Sequence, residues 1–440
     1  MKKICALVLM TFLAAVYADD SLTIVAVGEA EKESEKISFA LQTKGDIADK
    51  DKKSLNNIIK IFIEDFKFYK TIFEANEKIG DERDKSARYS VEVTAKMIDK
   101  KLAAQFYVYD VKKKEELLST EALVNTSDLR TFAHDQANNI YKSITGKDSI
   151  FKSRIVFVSD RTSTKNEIRK ELYIMDFDGE RKQRLTYQNS IVISPAISPD
   201  NEKIIFTLVD DMPTRNAKTG VMMKTVNLNL YMLTLGNKRL QRISSLPGIN
   251  SGAVFNKAGD HVYLTLSLGK NADIYKLNLQ TKARRKITNH FAEDVDPHIN
   301  FDESLMTFLS NRPGKAMIYV MDPNQTEKNV KRISFVGDYN AAPRFNPAGT
   351  EIAFSSWVDN RFDIYRIDSN GSNLVRLTKN FGSNEEPWYS PDGEFIVFSS
   401  QRVISRKKAD QDLYIMNRNG EIIKKITDGY GKVFTPRWSN

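Results

Sequence analysis

Cysteine is almost absent from this chain: among 440 residues Cys5 is the only one. It lies in the opening run MKKICALVLMTFLAAVYADD, whose two lysines precede an apolar stretch too short to cross a bilayer comfortably. Val16 and Ala18 occupy the −3 and −1 positions of a cleavage site, so residues 1–18 are expected to be a cleaved signal peptide. The mature chain then has no thiol, which excludes disulfides, zinc–thiolate sites and a cysteine nucleophile.

A second long hydrophobic run and a block of like charge are also missing. The expected mature chain is therefore not membrane-spanning. The net charge is +9, but lysines, arginines and acidic residues are interspersed along the chain. Nucleic-acid-binding proteins usually concentrate basic residues on one footprint with interleaved aromatics, so nucleic acid is not an expected partner.

Histidine is scarce, and known catalytic motifs are absent. The four histidines are scattered over different elements, with no HExxH motif and no pair at ligand spacing, and no G-x-S-x-G nucleophile elbow occurs. His134, inside an expected helix, is interpreted as a core or interface histidine. The chain is accordingly expected to be no enzyme and to use neither a cofactor nor a metal.

Residues 19–150 contain no repeat and alternate between helical and strand-like patterns. Apolar residues recur at helical spacing from Leu55 to Tyr69, and ARYSVEVTAKMID and QFYVYDV alternate as strands do. SLTIVAV, near the start of this part, is a further expected strand. A second helix is expected from Ser127, as its N-cap, to Gly146, as the residue that ends it. These patterns predict one small α/β domain with a flexible N-terminal segment.

Residues 151–440 repeat three sequence phrases in a fixed order. Apolar strands ending in serine, such as RIVFVS and IVFSS, are followed by tyrosine strands such as LYIMD and by short strands such as QRLT. The repeated tyrosines are 58, 44, 44, 46 and 49 residues apart. Four short strands in each unit of about 40–50 residues are typical of propeller blades. The predicted fold is mostly β, a six-bladed β-propeller preceded by the small α/β domain.

Six complete blades require the last segment of the sequence, FTPRWSN. It matches the strand that opens each repeat, whereas the first repeat, at RIVFVS, has no such strand before it. We therefore expect Phe434–Ser439 to pair with Arg154–Ser159 and close the ring, which removes exposed sheet edges. Trp388 and Trp438, which follow a proline in opening strands, are expected to pack between blades.

Acidic residues gather just before two opening strands, at Glu293, Asp294 and Asp296 and at Glu385 and Glu386. Loops in this position converge near the axis of a propeller, where ligand sites usually lie. Two interpretations stay open. The favoured one is a charged surface that binds a protein partner. The alternative is an exported propeller enzyme or glycan-binding module that uses these acidic loops, with or without a metal ion.

The junction FAHDQANNIYKSITGKDSIFKSRIVFVSD, from Phe132 to Asp160, resembles the TolB family, the periplasmic component of the Tol-Pal envelope system. The repeat around PWYSPDGEFIVFSS resembles the family's propeller repeat, and together they cover nearly the whole mature chain. The resemblance implies a monomeric, periplasmic, non-enzymatic adaptor that supports outer-membrane integrity and envelope constriction at cell division.

The same resemblance implies two partners. The Pal lipoprotein would bind the propeller face with the inter-blade loops, and the periplasmic domain of TolA would bind the N-terminal segment. Other outer-membrane or peptidoglycan-associated proteins are further candidates. The implied Pal-binding positions are Asn250, Ser251, Gly252, Asp294, Val295, Asp296, Arg312, Asn340, Glu385 and Thr435. The implied TolA-binding positions are Asp19, Asp20, Leu22, Ile24 and Val25.

The second repeat departs from the family's pattern in two ways. Its neighbouring opening motif reads SGAVFNKAG, with Ala253 where the other repeats have proline. It also contains the insertion DDMPTRNAKTGVMMKTV, which lengthens one tyrosine spacing to 58. The degraded motif adjoins a loop that the resemblance assigns to the Pal-binding face.

Overall fold

The computed structural model describes residues 33–43, 49–78, 83–98, 101–215, 222–268, 271–405 and 408–439. The expected signal peptide, the strand SLTIVAV and all five implied TolA-binding residues lie outside these ranges. No helix within the described ranges is long and apolar enough to span a membrane.

The first part of the described chain is an α/β unit with five strands and two helices. The strands lie in the order β2-β1-β3-β4-β5, with β1 parallel to β2 and β3 and the remaining pairs antiparallel. The elements are β1 (Glu35–Thr43), α1 (Asp49–Phe68), β2 (Phe73–Glu77), β3 (Tyr89–Ile98), β4 (Lys101–Asp110), β5 (Glu115–Asn125) and α2 (Leu129–Thr145).

Both helices pack on one face of this sheet. The apolar stripe predicted for the first helix is buried, and its Phe62 and Phe66 rings lie 5.6 and 5.3 Å from the ring of Phe39 on β1. The second helix starts later than predicted: a 3₁₀ turn occupies Thr126–Asp128, so Ser127 is not its N-cap. It ends as predicted at Gly146, whose φ of 75° is the left-handed conformation that glycine adopts readily.

The remaining strands form six four-stranded sheets, the blades of a β-propeller. This confirms the predicted fold class. Blade 1 contains β6 (Arg154–Ser159), β7 (Glu171–Asp176) and β8 (Gln183–Arg184), and its innermost strand comes from the C-terminus. Blade 2 contains β9 (Ile191–Ile197), β10 (Lys203–Arg215), β11 (Met222–Thr234) and β12 (Leu240–Ser244). Blade 3 contains β13 (Asn250–Phe255), β14 (His261–Leu266), β15 (Asp273–Asn278) and β16 (Arg284–Lys286).

The other three blades follow the same order. Blade 4 contains β17 (Asp294–Ile299), β18 (Met306–Ser310), β19 (Met317–Met321) and β20 (Lys331–Arg332). Blade 5 contains β21 (Asn340–Phe345), β22 (Glu351–Val358), β23 (Arg361–Asp368) and β24 (Val375–Arg376). Blade 6 contains β25 (Ser383–Tyr389), β26 (Phe395–Ser405), β27 (Lys408–Asn417) and β28 (Ile422–Lys425). The last strand, β29 (Val433–Trp438), belongs to blade 1.

The C-terminal strand closes the ring as predicted. β29 pairs antiparallel with β6, with Val433 opposite Ser159 and Trp438 opposite Ile155. The indole Nε1 of Trp438 also donates a hydrogen bond to Ser153 Oγ at 2.7 Å. Both sequence termini of the propeller are thereby held in one sheet.

The acidic and basic residues that recur in the repeat form ion pairs inside the blades. In four blades the acidic residue two positions before the repeated tyrosine of the third strand is buried and bonds a basic residue of the fourth strand. These pairs are Glu171–Arg184, Asp273–Lys286, Asp363–Arg376 and Asp412–Lys425, at 3.0, 2.8, 2.5 and 2.9 Å. A buried charge without a partner costs free energy of folding. The acidic and basic residues therefore recur together for structural reasons.

The insertion in the second repeat lengthens one hairpin. β10 and β11 stay paired out to Arg215 and Met222, whereas β9 stops pairing with β10 at Val209. A similar extension in blade 6 pairs Ser405 with Lys408. Blades 2 and 6 both adjoin blade 1, so the two hairpins flank it.

The α/β unit packs on blades 1 and 6 through a shared hydrophobic cluster. The rings of Phe177 and Phe395, from these blades, lie 5.1 and 6.2 Å from the ring of Phe68. The hydroxyl of Tyr69 donates to Asp392 Oδ2 at 2.6 Å and accepts the Ile150 N–H at 3.0 Å. Apolar packing and hydrogen bonds therefore join the α/β unit to the propeller.

Candidate functional site

The two faces of the propeller differ in what covers them. Because the four strands of each blade alternate in direction, the inter-blade loops and the loops between second and third strands share one face. We call it the open face. The α/β unit contacts the other face, where Asp392, Asp178 and Glu421 lie in turns between first and second or third and fourth strands.

Exposed hydrophobic side chains concentrate on the open face. Eleven large hydrophobic residues of the propeller are exposed within the described ranges, and only Leu240 and Phe301 lie on the opposite face. A cluster of this kind usually marks an interaction surface. The other nine, the open-face apolar set, are Ile168, Tyr187, Val226, Leu268, Phe291, Phe335, Tyr339, Trp357 and Val403.

A β-bulge in each opening strand turns one residue toward the propeller axis. In all six blades this residue has positive φ, between 45° and 63°. In four of the blades a Ser or Thr of the preceding blade's second strand bonds the bulge or a residue within two positions of it: Thr207 donates to Ser251 Oγ, Thr265 accepts from the Asp296 N–H, Ser355 accepts from the Glu386 N–H, and Ser399 donates to the Val433 carbonyl. The six bulge residues are Ser194, Gly252, Asp296, Ala342, Glu386 and Thr435.

Below the bulges, side chains from several blades meet across the channel. The Trp388 ring lies 5.1 Å from the His298 ring, edge to face, and 4.8 Å from the Arg437 guanidinium. Arg344 and Arg437 are almost fully buried, and they pair with Asp296 at 2.8 Å and Glu386 at 3.3 Å. Burial and the neighbouring Arg344 lower the pKa of Arg437 to about 10. Trp388 thus contacts residues across the axis, besides its own neighbours.

Three of the implied Pal-binding residues lie inside the propeller. Asn250, Asp294 and Asn340 begin opening strands and have no exposed surface. Asn250 accepts from Ser244 Oγ at 2.5 Å, and Asn340 donates to Ser334 Oγ at 3.0 Å. In the free protein these side chains position the loops and do not reach the surface.

Arg312 and Asp294, both implied Pal contacts, are brought together. The guanidinium lies 2.7 Å from the Asp294 carboxylate and 3.1 Å from Glu327. The acidic loop is therefore divided, because Asp294 pairs with Arg312, Asp296 pairs with Arg344, and Glu293 is exposed. These acids do not converge on one point, as a shared metal or catalytic site would require.

The other implied residues lie nearer the surface. Ser251 is partly exposed and accepts from Thr207 Oγ1 at 3.0 Å, while the partly buried Val295 packs beside the cluster between blades 4 and 5. Gly252 occupies the bulge in the degraded motif, where its φ is 63°.

Glu385 and Thr435 line one cavity near the axis, with a volume of about 270 Å³. Burial, and then the adjacent Glu386, raise the pKa of Glu385 above its ordinary value. We call this cavity the axial pocket; it is lined by Val158, Lys170, Ile193, Ser194, Glu385, Glu386, Ser399, Gln411, Phe434 and Thr435.

His134 lies at the joint between α/β unit and propeller, as the core or interface interpretation predicted. Its Nδ1 is 2.7 Å from Asp65 Oδ2, and both side chains are buried. Asp178, from blade 1, completes a group of three possible metal ligands, but Arg130 already bonds Asp178. Arg130 therefore compensates the charge of Asp178, and His134 bonds Asp65.

Sequence reasoning missed the open-face apolar set and the channel residues. Aromatic residues stand in loops where turn residues are expected, as in TNHF around Phe291 and SFVGDY around Phe335. The residue after the motif proline also varies among repeats, giving His298, Arg344 and Trp388. A variable position inside an otherwise regular repeat could have indicated the channel.

Comparison with known proteins agrees with this architecture. The family described as "TolB beta propeller domain" matches residues 141–440. A solved TolB structure from Acinetobacter baumannii superposes with a TM-score of 0.74, covering 93% of this chain and 97% of that one at 23% identity, which supports the fold.

Relatives detected by sequence share the same family name. "Protein TolB homolog" of Chlorobium luteolum is 31% identical over 333 residues, which span 76% of this chain and 70% of the relative. "Tol-Pal system protein TolB" of Francisella tularensis is 25% identical over 322 residues, spanning 72% and 70%. With a family match over the whole propeller and a relative at this identity, the chain belongs to the TolB family.

Proposed function

We propose that this protein is a non-enzymatic adaptor of the Tol-Pal system that binds Pal through the open face of its propeller. The proposal further places it in the periplasm after removal of residues 1–18. Its N-terminal segment, residues 19–25, binds the periplasmic domain of TolA. By linking these proteins it supports outer-membrane integrity and envelope constriction at division.

The observation that carries the proposal is the uneven distribution of exposed hydrophobic residues. Of the eleven in the described part of the propeller, nine belong to the open-face apolar set, on the face that the α/β unit leaves free. Buried apolar and aromatic residues usually dominate the affinity of protein interfaces. The relative from Francisella tularensis is named as a Tol-Pal system protein, which supports a protein partner of that system.

The binding test uses the full mature chain and the soluble domain of Pal. Phe291 and Phe335, 80% and 73% exposed, lie in adjacent inter-blade loops. The double variant Phe291→Ala/Phe335→Ala should weaken binding about ten-fold or more, measured by titration calorimetry. Phe301, 63% exposed on the opposite face, supplies the matched control, and Phe301→Ala should change the affinity by less than about two-fold. Equal effects of the two changes would contradict the proposal.

The TolA assignment has its own test. Deleting residues 19–26 should abolish binding to the periplasmic domain of TolA while binding to Pal persists. A deletion variant that still binds TolA would show that the segment is not the binding site. Retained Pal binding also confirms that the shortened chain is folded.

A further inference from the structure

The axial pocket lies on the open face, where blade 1 meets its two neighbours. Its lining comes from blades 1, 2 and 6, so the extended hairpins of blades 2 and 6 stand on either side of it. A single water needs only about 10–15 Å³ of such volume, so a cavity of about 270 Å³ accepts a side chain. The pocket is thus placed to receive a residue projecting from a bound partner.

The polar groups of the pocket include acceptors that lack donors. The Glu385 carboxylate has no hydrogen bond or ion pair with the described side chains. The buried hydroxyl oxygen Thr435 Oγ1 has no hydrogen-bond partner either. Glu386 is only partly compensated, because Arg437 approaches it at 3.3 Å, beyond the 2.7–2.9 Å that is common for such charged pairs.

The cation already in the pocket does not neutralise these carboxylates. The ammonium of Lys170 lies 3.9 Å from the centre of the Phe434 ring and forms no ion pair with Glu385 among the described residues. Two neighbouring carboxylates therefore line a space with too few donors. A lysine ammonium has three donors and an arginine guanidinium five, so either could bond both carboxylates together.

We propose that the axial pocket is the anchor site for a basic side chain, lysine or arginine, of the protein that binds the open face. The cation lies between the carboxylates of Glu385 and Glu386 and donates to both. This inference rests on the proposed adaptor function, since it assigns one contact within that interface.

The test compares a glutamate of the axial pocket with a glutamate of the opposite face in the full mature chain. Glu385→Gln keeps the shape and removes the charge, and should raise the Kd for the soluble domain of Pal about ten-fold or more. Glu202, exposed in a turn on the opposite face of the propeller, is the matched control, and Glu202→Gln should stay within about two-fold. Glu385→Lys should abolish binding, and a Lys→Glu or Arg→Glu change at one position of Pal should restore it.

The possible results distinguish this inference from the proposed adaptor function. If Glu385→Gln binds as wild type while Phe291→Ala/Phe335→Ala binds weakly, the anchor is wrong and the adaptor function stands. If wild-type protein does not bind Pal, both proposals are overturned. If EDTA weakens wild-type binding as much as Glu385→Gln does, the pocket holds a divalent cation and the basic anchor is overturned.

Discussion

The guanidinium of Arg312 lies 2.7 Å from the carboxylate of Asp294, which has no exposed surface. Arg312 also bonds Glu327, whose carboxylate accepts the backbone N–H of Asn289. One arginine therefore joins the first strand of blade 4 to the loop before its last strand. The arrangement holds an inter-blade loop in place beside Phe291.

Removing this arginine should destabilise the protein strongly. Arg312→Met keeps the aliphatic volume but leaves Asp294 charged and buried, which should cost roughly 3–5 kcal/mol in the free energy of unfolding. Urea denaturation measures this. Lys315 is the control because its pair with Asp338 is exposed, and Lys315→Met should cost less than about 1 kcal/mol. Similar losses in both variants would show that Asp294 does not depend on Arg312.

Closure of the ring by the C-terminal strand makes a second prediction. Trp438 is 3% exposed and bonds Ser153, whereas Trp357, on the open face, is 37% exposed. Trp438→Ala should lower the free energy of unfolding by roughly 3–5 kcal/mol, because it opens a cavity beside the strand that closes blade 1. Trp357→Ala should cost about 1 kcal/mol. An equal, small loss in both would mean that β29 contributes little to closing the ring.

The propeller could be predicted from the sequence because its strand pattern repeats along the chain. Each copy alternates with period two, and the unmatched segment FTPRWSN gave the pairing of β29 with β6. The α/β unit offers one copy of each element. β2 has five residues, and β5 is an edge strand with few buried side chains, so neither shows a clear apolar alternation. The parallel strand β1 was also missed, although its Ile37, Phe39 and Leu41 alternate with period two.

The face of the candidate site was predictable, but the exposure of its residues was not. The order of strands within a blade places every inter-blade loop on one face. Whether Asn250 reaches the surface depends on Ser244, which bonds and covers it in the folded blade. A polar residue in a loop is expected from the sequence to be exposed, and only the packed structure shows that it is buried.

Tyr69 makes a third prediction, about the joint between α/β unit and propeller. Its hydroxyl bonds Asp392 and the Ile150 N–H, so Tyr69→Phe leaves a buried N–H and a carboxylate without this partner. The free energy of unfolding should fall by about 1–3 kcal/mol, measured in urea. Tyr187→Phe is the control, since that side chain is 66% exposed and should change stability by less than about 0.5 kcal/mol. A Tyr69 variant as stable as the control would show that the hydroxyl does not hold the joint.

The ionisation of Asp65 should make the free energy of unfolding depend on pH. Burial, opposed by the hydrogen bond and charge of His134, raises the pKa of Asp65 from 3.8 to about 6 in the folded protein. Asp178 and Arg130 also face this carboxyl, with opposite effects. The folded chain thus holds the proton more tightly than the unfolded chain. The stabilisation that protonated Asp65 contributes is complete below about pH 3.8 and is lost as the pH rises through about 6.

Asp65→Asn imitates the protonated form and should remove this dependence. Relative to wild type, the variant should gain stability as pH rises from 4 to 7, by at most about 3 kcal/mol at 1.36 kcal/mol for each unit of pKa. Urea denaturation at several pH values gives the difference, with Asp135→Asn, an exposed site on the same helix as His134, as control. A difference that shrinks with rising pH would instead mean that Asp65 is held ionised by His134 throughout this range.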